Sequence, residues 1–205
     1  LEFRRVLFRS HINLKHRKKH TCMIFNRNGK RQTMTVPQER FDVQHFFDRT
    51  ERDSDDNRLF MSQGRHFREC FVSRARFVED VVGELGTSTG SIQYEGWNLN
   101  VDTDSSSLWR HAYSLFEMSR AVVTITEIVN LVRKQRNGEE GILNTDFRNN
   151  VFFVRDWNGN IRIVHVKYSR RKGGWGIGGW FTERNESNDD QVKWLANWSQ
   201  YIFRC

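Results

Sequence analysis

Residues 151–168 read VFFVRDWNGNIRIVHVKY, and no other stretch narrows the fold of this chain so far. Two β-prone runs flank Asn158-Gly159, a dipeptide in which both residues tolerate positive φ. The segment therefore predicts an antiparallel hairpin closed by a two-residue turn. That turn puts Arg155 directly opposite Arg162. Phe153/Val164 and Val151/Val166 continue the same face, with Val154/Ile163 and Phe152/His165 on the other. Both faces are largely apolar, which predicts a central hairpin covered on both sides. Two arginines face to face destabilise a ladder by about a few tenths of a kcal/mol unless an anion or a carboxylate lies between them. A local acid such as Asp156, an acid from another element, or a bound anion such as phosphate would resolve the conflict.

Around this hairpin the periodicities predict an α+β fold: an N-terminal hairpin and helices, followed by a C-terminal antiparallel sheet. Met23–Pro37 reads as a hairpin turning at Asn28-Gly29, and Phe41–Phe47 as a short helix or a strand end. TERDSDDNR (50–58) reads as a polar, mobile loop. Phe67, Phe71, Val78, Val81, Val82 and Leu85 recur near the helical period and predict a helix from Arg65 to Leu85, stopped by Gly86. Residues 91–101 alternate as a strand pair. Ser105–Ser107 offers an N-cap to a helix from Leu108, and Ser119 to another over 120–136 that ends near Gly138. Beyond the central hairpin, Trp175–Thr182 reads as a strand, Asp189–Asn197 as a short helix and Tyr201–Arg204 as a last strand. The expected division is 1–22, a non-native leader; 23–144, mainly helical; and 145–205, antiparallel β, with a core that the last two share.

Charge does not settle the function. The net charge is +8, but residues 1–22 hold seven basic residues against Glu2 alone, leaving 26 basic and 24 acidic residues in 23–205. Glu2–Ser10, EFRRVLFRS, resembles a translated sequencing-library adapter, and the natural protein is expected to begin at Met23. No window approaches 18 consecutive apolar residues, which excludes a membrane-spanning helix. The 16 Phe and 7 Trp exclude a disordered chain. Three Cys without a C-x-x-C exclude a disulfide scaffold and a cysteine zinc site. A soluble, cytoplasmic protein is expected.

Several motifs carry less chemistry than they promise. Gly174, Gly176 and Gly179 match G-x-G-x-x-G, but no apolar-periodic helix follows, so a turn or bulge is the expected reading over a dinucleotide site. Asp53, Asp55 and Asn57 open like a calcium loop that lacks both its glycine and its bidentate acid. His66 and Cys70 share a helix face, but Glu69 projects about 100° from Cys70, and an orienting group is missing. No catalytic constellation, metal site or cofactor is expected. Lys167, Arg170, Arg171 and Lys172 precede Trp175 and Trp180, a pattern in which basic residues track a single strand and aromatic rings stack on it.

NVFFVRDWNGNIRIVHV, the GW-containing strand after it, the terminal YIF and the helix-plus-RNGEEGILN segment at 128–144 resemble small hypothetical proteins of candidate-phyla bacteria over about 105–205. The resemblance implies a bacterial origin and a real domain. It implies no activity.

Three functional readings follow. The first is a non-enzymatic binding module whose partner is another protein. The second is a nucleic-acid or anion-binding module using Arg155, Arg162, Lys167, Arg170, Arg171, Lys172, Trp175 and Trp180. The third is an enzyme whose residues converge only in three dimensions, from Cys70, His66, His111 or His165. A partner surface asks for a contiguous apolar patch, a nucleic-acid site for unpaired cations, and an enzyme for converging titratable groups in a cleft.

Overall fold

The computed structural model describes residues 25–35, 43–48, 59–72, 91–156, 158–181, 193–194 and 198–205. Its elements are β1 (Phe25–Thr35), α1 (Val43–Asp48), β2 (Phe60–Gln63), one helical turn α2 (Arg65–Phe67) that runs on as a π-helix (Arg68–Val72), and β3 (Ser91–Leu99). Then come β4 (Thr103–Asp104), α3 (Ser105–Leu115), α4 (Met118–Ala121), β5 (Val122–Val123) and α5 (Ile125–Lys134). β6 (Asn149–Arg155), β7 (Ile161–Ser169), β8 (Gly174–Phe181), β9 (Lys193–Trp194) and β10 (Ser199–Arg204) complete the chain. An eight-stranded sheet runs β1-β3-β10-β6-β7-β8-β2, with β5 beside β6. Helices and strands mix as an α+β fold, but the sheet is mixed, not antiparallel: β10 and β5 lie parallel to β6, and β2 parallel to β8. Nor is it confined to the C-terminal part, since β1, β2 and β3 belong to it. Among the described residues no helix is long and apolar enough to cross a membrane.

Both faces of the sheet are covered where β6, β10 and β7 run. On one face Tyr94, Phe152, Val154, Val164, Val166, Trp175 and Ile202 pack with α5 and with Phe67 and Phe71. On the other, Leu99, Val151, Phe153, Ile163, Tyr201 and Phe203 pack with Leu108 and Ala112 of α3, Ala121 and Trp194.

The expected register of β6 and β7 is wrong by one residue. Val154, not Arg155, pairs with Arg162, and Val151, Phe152 and Phe153 pair with His165, Val164 and Ile163. The cause is Asp156. Its Oδ1 accepts the Asn158 and Asn160 N–H groups, each at 2.9 Å. Its Oδ2 accepts Arg162 Nε at 2.6 Å. The ladder therefore closes between Asp156 and Asn160 with three residues in the connection instead of two, and Gly159 takes the left-handed φ of 81° that such a connection needs.

Asn28-Gly29 likewise makes no hairpin turn. β1 is one strand that pairs with β3, and residues 28–30 bulge opposite Gly96, between Arg27↔Trp97 and Arg31↔Glu95. Gly29 has φ 80°, and Asn28 Oδ1 accepts the Lys30 N–H at 3.0 Å. The bulge holds two extra residues, an even number, so inward and outward positions stay in phase on either side of it.

Other expectations shift at their ends. Residues 91–99 are a single strand, not a pair. Asp104, not a serine, caps α3, accepting from Ser107 N–H at 2.9 Å. The expected 120–136 helix is broken: 120–121 end α4, 122–123 form β5, and only 125–134 are α5, capped by Thr124 in a capping box with Glu127 instead of by Ser119. Residues 43–48 are helical, and of Arg65–Leu85 the described residues 65–72 are helical. Lys193–Trp194 is a strand paired with β4, not part of a helix. The 50–58 loop, the Asp53-Asp55-Asn57 motif and residues 1–24 lie outside the described residues.

Glu127 also ties α5 to the sheet. Tyr94 Oη donates to its Oε1 at 2.6 Å, the Thr124 N–H to its Oε2 at 2.6 Å, and Arg204 donates to both oxygens. Glu127→Ala leaves the largely buried Arg204 and Tyr94 without their acceptor, and about 3–5 kcal/mol of stability is expected to go with it. Urea titrations of both proteins check this; a loss below about 1 kcal/mol contradicts the role given to Glu127.

Candidate functional site

The β7–β8 ladder decides where the expected site residues stand. Ile163 pairs with Trp180, His165 with Gly178, Lys167 with Gly176 and Ser169 with Gly174. Strands alternate their side chains, so Ile163, His165, Lys167 and Trp180 share one face, while Trp175 points to the other.

Three of the eight expected residues are thereby taken up by the fold. Trp175 is fully buried, donates its indole N–H to the Gln135 carbonyl at 2.8 Å and meets Tyr168 edge-on. Arg162 is 8% exposed and bound to Asp156. Arg155, half-buried, reaches back to the Gly159 carbonyl at 3.3 Å on the face opposite Arg162, so the two never meet. The other five remain available. Lys167, Arg170, Arg171 and Lys172 are exposed. The last three sit on a turn closed by Lys172 and Gly173 N–H groups donating to the Ser169 carbonyl. Trp180 is 36% exposed, its ring nearly parallel to His165 (20°, centroids 6.4 Å) and tilted against His66 at 5.9 Å.

The glycines of 174–179 form no phosphate cradle. They are strand residues whose backbone is engaged with β7 and β2. Each glycine makes room for a neighbour: a Cβ on Gly174 would lie 2.3 Å from Met61, on Gly176 2.7 Å from Ser62 Oγ, and on Gly178 2.4 Å from the His165 ring. Gly179 touches the Phe67 backbone in the same way. The run thus lets β2 and α2 close on β8.

Of the enzyme candidates, His66 and His165 both lie against the Trp180 ring, while Cys70 and His111 are engaged elsewhere. His66 faces Trp180 and Glu69, and Cys70 packs against the first core. His111 Nδ1 lies 2.6 Å from the Ser107 carbonyl of its own helix. Among the described residues no group of three or more His, Cys, Asp or Glu is placed to hold a metal ion.

His165 was legible only as an isolated histidine. Strand alternation alone, once the register is known, sets it between Lys167 and Trp180. Burial, with the Lys167 ammonium adding to it, pulls its imidazole down to about 4. Its Nδ1 is buried without a hydrogen-bond partner. No family model, curated protein or solved structure matches the chain.

A histidine that protonates near 4 when folded and near 6.5 when unfolded favours the folded state fully above about pH 6.5. That contribution is lost as the pH falls from there toward 4, by up to about 3 kcal/mol. His165→Gln is expected to flatten this part of the stability profile. Urea unfolding at pH 7 and pH 5 checks it, and an equal drop in both proteins refutes the assignment.

Proposed function

We propose that this protein is a non-catalytic binding module that holds the phosphate backbone of a nucleic acid at the cationic end of the β7–β8 ribbon. A contrast in charge pairing supports the reading. Arg27 and Arg31 share Glu95, Arg65 pairs with Glu69, Arg148 with Asp146, Arg162 with Asp156, and Arg204 with Glu127. Lys167, Arg170, Arg171 and Lys172 make no ion pair with a described residue; Lys30, Arg110, Arg120, Lys134 and Arg155 make none either, but each stands on a different element, and only the β7 group is contiguous. Four like charges on one strand and its turn repel each other, and a polyphosphate relieves that repulsion while releasing its own counterions.

A protein partner, the first of the readings from sequence, draws less support. Of the exposed large apolar residues among those described, Met61 and Trp180 stand on the β2–β8 face beside the cations, and Val101, Tyr113, Phe147 and Trp198 lie on other segments. The bacterial origin implied by the resemblance, and a cytoplasmic setting, belong to this same proposal.

Fluorescence anisotropy of a labelled oligonucleotide across a salt series tests it in the full chain. Four phosphate contacts predict a log–log salt slope of about −2.8 for a single strand. Arg170→Glu/Arg171→Glu is expected to weaken binding about tenfold or more at 0.1 M salt and to make the slope shallower by about 1 to 2. Unchanged affinity and slope in the double variant overturn the proposal.

A further inference from the structure

We infer that the ribbon takes its nucleic acid single-stranded, with an unpaired base laid on Trp180 and the backbone running past Lys167 to the Arg170–Lys172 turn. This rests on the phosphate-binding reading above and adds the kind of strand.

The two tryptophans of β8 make the case by contrast. Trp175 is enclosed, with its indole N–H satisfied by the Gln135 carbonyl. Trp180 is backed by His165 and flanked by His66, yet keeps 36% of its surface open. Its indole N–H makes no hydrogen bond to a described residue. A supported ring with an open remainder suits base stacking, because every base has a π-face and the ring loses little freedom on binding. His165 backs it as a neutral ring at pH 7. The positive charge on β7 thus stays at Lys167 and the turn, while Glu69, beside His66, puts an acid at the Trp180 end.

The spacing fits an extended strand. Trp180 and Gly174 stand six residues apart on β8, about 20 Å at strand rise. The face between them carries Met61, Ser62, His165 and Lys167 over the glycines. A site of about four nucleotides, the short end of the range for such platforms, covers that length. In a duplex the bases are stacked on each other and paired. Trp180 then has no base to receive, and only the cations engage.

The test measures a 5′-labelled dT12 and its duplex with dA12 against the full chain, with Trp180→Ala, Trp180→Phe and Arg170→Glu/Arg171→Glu variants. The single strand is expected to bind about tenfold or more tighter than the duplex at equal salt. Trp180→Ala should weaken the single strand about 5- to 150-fold, leave the duplex unchanged, and keep the salt slope, since the ring carries no charge. Trp180→Phe should restore most of the loss, which also separates stacking from misfolding. Equal affinity for both forms, an equal loss on both in Trp180→Ala, or a loss in Trp180→Phe as large as in Trp180→Ala overturns the inference. The phosphate reading survives any of these outcomes if the double charge reversal still weakens binding. If the reversal changes nothing, both fall.

Discussion

The carboxylate of Asp156 sets the geometry on which the C-terminal half depends. It is buried and takes two backbone N–H groups and the Arg162 guanidinium. Those donors offset the desolvation that would otherwise expel the charge. By closing the connection at three residues it fixes which β7 residue meets which β6 residue. A strand has a period of two, so a slip of one would carry every β7 side chain to the other face. The even residues Val164 and Val166 go to the α5 side, and Ile163, His165 and Lys167 to the other. β8 inherits the choice: Trp175 goes in and Trp180 comes out.

A second constraint arises where β10 pairs antiparallel with β3 and parallel with β6. The segment after α5 crosses that end of the sheet, and its buried backbone groups need partners. Amide side chains supply them. Gln135 exchanges hydrogen bonds with Leu143 and Asn150 with Asn144, while Gln200 donates to the Ile142 carbonyl. Asn28, on the β1 bulge, holds Gln200 in place at 2.8 Å. A carboxamide both donates and accepts. The crossing loop is therefore satisfied by amides of three elements, with Asn28 bracing Gln200 and the half-buried Lys30 ammonium donating to Asn144 at 2.9 Å.

This division explains what could be read from sequence. The α+β mixture and the strands β6, β7, β8 and β10 follow from period-two runs and turn residues, which are local. The two Asn-Gly pairs show where locality ends. Asn158-Gly159 enters a three-residue connection because Asp156 accepts around it, and Asn28-Gly29 enters a bulge because β3, more than sixty residues later, runs alongside β1. The dipeptide permits positive φ and leaves the partner undecided. The same limit applies to the site. Basic and aromatic residues at 167–180 were visible, but their faces were not, so Trp175 and Arg162 were grouped with residues they turn away from. The contact of His165 with Trp180 is not legible in the sequence, because residues 15 apart meet only across a ladder.

The exposed pairs of the described structure, such as Arg65 with Glu69, contribute little stability in water. Their value as an observation lies in placement: they show which cations already have an acid beside them. The turn after β7 has none among the described residues, although its backbone is ordered by hydrogen bonds to Ser169. At 0.1 M salt a charge is screened over about 10 Å, and the turn lies about 20 Å from Trp180 along the strand. The two ends therefore act nearly independently. Lys167, two residues from His165, is the one cation of the four near enough to lower that imidazole. Attraction at the turn depends on salt and ignores the base, while stacking at Trp180 depends on the base and ignores salt. A single extended ligand joins these terms only if it carries a phosphate and a free ring at that separation.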